Sequence, residues 1–129
     1  MKTDKNYTGY LNNHHSIVKK SWGFEKIFIN TDLYCVKELN INFGCSTSKH
    51  YHKVKHETFY VVQGVANIIL FDINGKKREV YTLREKETFC IQPNTIHSII
   101  NISFEGSLIL LESSTQDKQQ DNIRIHSNV

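Results

Sequence analysis

The chain has 129 residues, 39% of them hydrophobic and 22% charged, which suits one domain with a buried core. Sixteen Lys and Arg stand against thirteen Asp and Glu, a net charge of +3 with no basic stripe and no basic amphipathic helix, so neither nucleic acid nor a membrane surface is an expected partner. Three widely spaced cysteines (Cys35, Cys45, Cys90) make neither a disulfide framework nor a Cys-x-x-Cys site. The longest apolar run, near Leu108 to Leu111, is too short for a bilayer, and the polar N-terminus has no signal-peptide core, so a reducing cytoplasm is the expected compartment.

Residues 1–16 are polar and aperiodic and read as an arm, with His14 and His15 facing solvent. From Ile17 the pattern changes, and Val18 to Phe28 alternates weakly toward a strand around Trp22, the one tryptophan and a core or interface anchor. Leu33 to Phe43 reads as a strand with Lys37, Leu39, Ile41 and Phe43 on one face. A lysine on an apolar face needs a partner, a purpose, or a place at the rim where it can snorkel to water. Next comes His50-Tyr51-His52, whose two imidazoles share a face on an extended segment, followed by a strand from His56 to Gln63 with Glu57 at its start. Two imidazoles and a nearby carboxylate are a ligand set for a divalent transition metal, with His97 the candidate fourth ligand. A solvent-facing His-x-His pair is the alternative.

Ala66 to Phe71 and Lys77 to Leu83 read as a hairpin around Asp72-Ile73-Asn74-Gly75. Thr88 to Ile91, Ile96 to Ile102 and Ser107 to Ser113 follow as strands, the last with Glu112 on the face of Leu108 and Leu110; inward or strand-end placements both suit it. Gln116 to Asn122 is a polar loop or helical turn, and Asn122 to Ile125 a last short strand. Eight to ten short strands without helical periodicity predict an all-β sandwich or closed barrel in one domain over 17–126, with 127–129 a tail.

Gly44, His50, His52, Glu57 and Gly64 fill every fixed position of Gly-x5-His-x-His-x4-Glu-x6-Gly, so this stretch resembles the first cupin motif. The second motif, Gly-x5-Pro-x-Gly-x2-His-x3-Asn, falls on Lys86, Gln92, Asn94, His97 and Asn101, where the last two match and the first three depart. Asn94 departs mildly, since Asn tolerates the left-handed backbone a turn glycine supplies, and Pro93 stiffens the same turn one place late. The resemblance implies a cupin double-stranded β-helix, a jelly-roll barrel, holding one divalent transition metal (Zn, Mn, Fe, Co or Ni) on His50, His52, Glu57 and His97.

The flanks narrow the resemblance. Lys20-Ser21-Trp22-Gly23, Tyr34-Cys35-Val36-Lys37-Glu38-Leu39, Leu110-Leu111-Glu112 and Asp121-Asn122-Ile123-Arg124 occur in the order seen in the C-terminal cupin domain of type II mannose-6-phosphate isomerases, covering roughly 18–125. That family usually has Gln where this chain has His50, and these 129 residues hold no nucleotidyltransferase domain. The resemblance implies a metal-dependent aldose–ketose isomerase of a phosphorylated or activated hexose, in a homodimer. Lys37 and Glu112 are the candidate proton-transfer groups, and Lys37 and Arg124 the candidate phosphate contacts. The same ligands could serve an Fe(II) dioxygenase, and a non-catalytic sugar-binding cupin is a third reading.

Overall fold

Alternation along the strands decides the architecture, because each strand has one apolar face that only a second sheet can cover. The computed structural model describes residues 8–126. Eleven strands lie within them: β1 Ser16–Lys20, β2 Gly23–Asn30, β3 Cys35–Ile41, β4 His50–His52, β5 Glu57–Gln63, β6 Ala66–Phe71, β7 Lys77–Leu83, β8 Thr88–Ile91, β9 Ile96–Asn101, β10 Leu108–Ser114 and β11 Asn122–Arg124. All pairings are antiparallel, in a six-stranded sheet ordered β1-β2-β3-β10-β5-β8 and a five-stranded sheet ordered β11-β4-β9-β6-β7. This is the all-β cupin barrel. No helix among the described residues is long and apolar enough to cross a membrane.

Between the sheets, Leu39 and Ile41 of β3, Phe59 and Val61 of β5, Ile68 of β6, Ile99 of β9 and Leu108 and Leu110 of β10 form the core, joined by Trp22. The outward positions between them are more exposed, as period two requires. Burying such a side chain is worth roughly 1.5–3 kcal/mol each. The strand expected from Val18 to Phe28 is in fact two, because Ser21 and Trp22 make a tight turn and β1 folds back on β2 in the register Lys20↔Gly23. Gly23 is required there, since a Cβ would collide with the Asn40 carbonyl oxygen. The strand expected to run to Phe43 stops at Ile41, and Phe43 is 60% exposed rather than on the inner face. Residues 1–7 of the expected arm and the whole expected tail lie outside the described residues; residues 8–15 form no strand.

Lys86 and Asn94, at the two places where the second motif has glycine, both take the left-handed backbone, with φ of 73° and 67°. The turn geometry thus survives without glycine, at a cost of roughly 1–2 kcal/mol for a lysine. The Asn94 N–H donates to the His52 carbonyl at 2.6 Å, so this turn also buttresses β4. Asn101, the motif asparagine, is structural: its amide donates to Ile41 O and Gly106 O, and its oxygen accepts from the Ser103 N–H.

Candidate metal centre

β4 lies beside β9 in the five-stranded sheet with His50 opposite His97, and His52 follows on the same face. Their ligand nitrogens all lie within 4.8 Å of one another. From the facing sheet, the first residue of β5 brings Glu57 Oε2 to 3.5 Å from His52 Nε2 and 3.3 Å from His97 Nε2. The four residues expected from the motif therefore meet in one place.

Each histidine is oriented by a backbone carbonyl that can only accept: Nδ1 of His50 donates to Ser48 O (2.8 Å), of His52 to Asp121 O (3.0 Å) and of His97 to Thr95 O (2.8 Å). All three Nδ1 atoms then carry the proton, and all three Nε2 lone pairs point inward. Glu57 Oε2 and His97 Nε2 are buried without any hydrogen-bond partner, an acceptor facing an acceptor. Neighbouring ligands of one ion, at about 2.1 Å from it, stand roughly 3–3.4 Å apart, so the Glu57 separations suit a shared cation.

Charge points the same way. Burial, then the neighbouring His97, pushes His50 down to about 3, and burial also lowers His52, so both stay neutral ligands near neutrality. Burial alone would raise Glu57, but the positive charge of Lys55, with Nζ at 3.4 Å, pulls it down and keeps it ionised. A cation is the partner these ionised and lone-pair groups lack.

Above the histidines a cavity of about 570 Å³ opens between the two edge strands β1 and β11. It is within the range of small-molecule sites. Leu39, Phe59 and Ile99 give it an apolar floor. One wall is a chain of ion pairs: Glu25 to Lys37 (3.1 Å), Lys37 to Asp117 (3.1 Å), Asp117 to Lys55 (2.8 Å), Lys55 to Glu112 (3.0 Å) and Lys55 to Glu57 (3.4 Å). Four carboxylates share two ammonium groups, and the surplus negative charge sits beside the histidines.

Lys37 is 4% exposed and lies inside this chain rather than at a rim, with both ammonium contacts made to carboxylates. Glu112 is 2% exposed and also points inward. Burial, then the charge of Glu57, raises its pKa against the pull of Lys55 and Lys37. Arg124 lies at the exposed mouth with Lys20, Lys118 and His126.

Lys55 and Asp117 are site residues that the sequence reading missed. For Lys55 there was a signal: if His56 faces out at the start of a strand, Lys55 and Glu57 face in together. Asp117 sits in an aperiodic loop and had none. Burial would raise Asp117, but Lys55 and Lys37 outweigh it and hold it at about 2, below the ordinary 3.8. A depressed carboxylate stabilises the fold fully above its unfolded pKa and loses that contribution as pH falls through the folded one. In chelator-treated protein, the urea midpoint should therefore fall between about pH 4 and 2, and Asp117→Asn should flatten that limb. An unchanged slope in the variant would refute the pairing.

Residues 35–122 match the family model described as the polysaccharide biosynthesis C-terminal domain. A mannose-1-phosphate guanylyltransferase of Salmonella muenchen is 29% identical over 115 residues, covering 88% of this chain and 23% of that protein. The capsular polysaccharide assembling protein CapF of Staphylococcus aureus superposes with a TM-score of 0.77 at 21% identity, over 88% of this chain and 35% of CapF. The cupin domain of Schizosaccharomyces pombe Cnp3 superposes at 0.60 with 14% identity, over 72% of this chain and 61% of that one. At these identities the two structures carry the fold alone. The chain spans about a quarter of the guanylyltransferase and about a third of CapF.

Proposed function

This chain belongs to the polysaccharide biosynthesis C-terminal domain family, and we propose that it is a metal-dependent cupin that interconverts an aldose and a ketose of a phosphorylated or activated hexose. The observation that carries the reading is the buried, partnerless Glu57 Oε2, from a residue that lines the cavity with His50 and His52, facing the equally partnerless His97 Nε2 at 3.3 Å. His50, His52, Glu57 and His97 would hold the ion. When bound, a divalent cation supplies Lewis acidity to a sugar's carbonyl and hydroxyl oxygens. The polysaccharide-biosynthesis family and the guanylyltransferase relative, named for a sugar 1-phosphate, support a sugar as the ligand.

The chain's own residues supply the rest. Glu112, with Lys55 Nζ at 3.0 Å, takes the proton from the carbon next to the carbonyl and returns it to the former carbonyl carbon, while the hydroxyl proton passes from one sugar oxygen to the other, with no net oxidation. Its raised pKa suits a group that must both accept and return a proton. Lys37 holds Glu25 and Asp117 in place, so it positions the wall. A phosphate would meet Lys20, Lys118 and Arg124 at the mouth, none of which has an ion-pair partner among the described residues. The reading includes a homodimer in the cytoplasm, with Tyr60 and Val62 exposed on the outer face of the six-stranded sheet as its apolar surface.

A panel of hexose phosphates and nucleotide sugars, incubated in deuterated buffer with Mn(II), Co(II) or Zn(II), tests this by NMR. Exchange of the C2 proton and appearance of the isomer are expected in at least one pairing, and Glu112→Gln should slow both by about two to four orders of magnitude. Saturable sugar binding with no exchange would replace the isomerase with a binding module. Oxygen uptake with Fe(II) would replace it with a dioxygenase.

A further inference from the structure

The strand that carries His50 and His52 is only three residues long, and on the β9 side it has a single paired position, His50↔His97. Its other edge is covered along its whole length by β11, in the register Asn122↔His52, Ile123↔Tyr51 and Arg124↔His50, extended by the Ile125 N–H donating to Lys49 O at 2.8 Å. The residue just before β11 is Asp121. Its Oδ1 accepts the N–H groups of Lys53 (2.8 Å) and Val54 (3.1 Å), and its Oδ2 accepts that of Lys55 (3.0 Å). Those three residues, with His56, are the loop joining the two histidines to Glu57. The same residue's main-chain oxygen accepts His52 Nδ1–H at 3.0 Å. One residue near the end of the chain thus grips the loop between two ligand-bearing strands and sets the tautomer of one ligand.

We infer that Asp121 is a positioning residue for the metal centre, and that the C-terminal strap it begins, 121–125, is coupled to metal occupancy. The inference rests on the metal reading above. Three backbone donors converging on one carboxylate, together with the Asn94 N–H on His52 O and the His56 N–H on Thr115 Oγ1, hold the loop that sets His52 and Glu57 3.5 Å apart. Partners that orient metal ligands typically contribute about ten- to a hundredfold in metal affinity. Coupling is reciprocal, so whatever the strap adds to metal affinity, metal must return to the order of the strap.

Zn(II) affinity is measured by competition with a chelating dye on the wild type, Asp121→Ala, Asp121→Asn and Asn101→Ala, with the Co(II) visible spectrum as a report on ligand geometry. Asp121→Ala should weaken Zn(II) by about ten- to a hundredfold and alter the Co(II) bands. Asp121→Asn, which keeps one acceptor oxygen, should fall between it and the wild type. Asn101→Ala unties a turn away from the centre, so it should lower stability yet leave Zn(II) affinity within about threefold. If Asp121→Ala does not fold, hydrogen exchange on the wild type decides: Zn(II) should slow the amides of 53–55 and 122–125 by a factor of the same size. Wild-type affinity and spectrum in the Asp121 variants, an equal loss in Asn101→Ala, or exchange unaffected by Zn(II) would each overturn the inference. A wild-type chain that binds no Zn(II) overturns the metal reading as well, and the wild-type titration alone identifies that case.

Discussion

His97→Ala should reduce bound transition metal from about one per chain to background in elemental analysis of protein purified without chelator, with His52→Ala doing the same. Apparent affinities for a protein-bound Zn(II) run at about 10–16 kcal/mol; shared over four ligands, one ligand is worth about 3 kcal/mol, more than a hundredfold. His97 is the informative choice because its Nε2 is buried without a partner, so alanine removes a lone pair that nothing else in the fold uses. His14→Ala is the control, since His14 is exposed and takes no part in the three-histidine cluster. Equal metal content in His97→Ala and His14→Ala would show that the four residues are not the ligands. Retention by His97→Ala with loss in His52→Ala would instead remove His97 alone from the set.

Lys55→Met should destabilise the metal-free protein by about 3–5 kcal/mol in urea unfolding, a large part of the roughly 5–15 kcal/mol that holds a domain of this size. Lys55 Nζ lies within 3.4 Å of Glu57, Glu112 and Asp117, and its ammonium is their main source of positive charge on this wall. Methionine fills much the same volume but leaves three carboxylates facing one another with burial opposing their ionisation. Burial and those carboxylates act in opposite directions on Lys55, and the carboxylates win, so its pKa is raised and the charge is firmly held. Glu112 can relieve part of the loss by taking a proton, so the double variant Lys55→Met, Glu112→Leu should recover at least half of it. A loss below about 1 kcal/mol, as for an ordinary surface substitution, would mean the ion-pair chain is not what holds this wall. Bound metal should lessen the effect, because a cation beside Glu57 replaces some of the lost positive charge.

How much of this is legible in the sequence differs by residue. Ala66 to Phe71, Lys77 to Leu83 and Thr88 to Ile91 fall on strands with those same ends, because turn residues and β-branched runs bracket each of them. The turn between Ser16–Lys20 and Gly23–Asn30 was invisible, since Ser21-Trp22-Gly23 contains an aromatic that period-two reading assigns to a strand. Phe43 looked inward by parity, but parity holds only while the strand continues, and β3 ends two residues earlier. The inward face of Lys37 and Glu112 could be read by the same rule, whereas their partners could not.

The sequence by itself determined an all-β domain with His50 and His52 on one face of a strand, and its resemblance to the cupin motifs named the barrel and the residues that meet between the sheets. Only the tertiary structure decided the company they keep. Lys37 pairs with Asp117 across 80 positions of chain, and Asp121 grips the loop at 53–55 from 66 to 68 positions away. Local periodicity encodes which face a residue takes, because that depends on backbone geometry over a few residues. It does not encode which distant carboxylate closes a charge, because that depends on where two sheets bring the loops at their ends together.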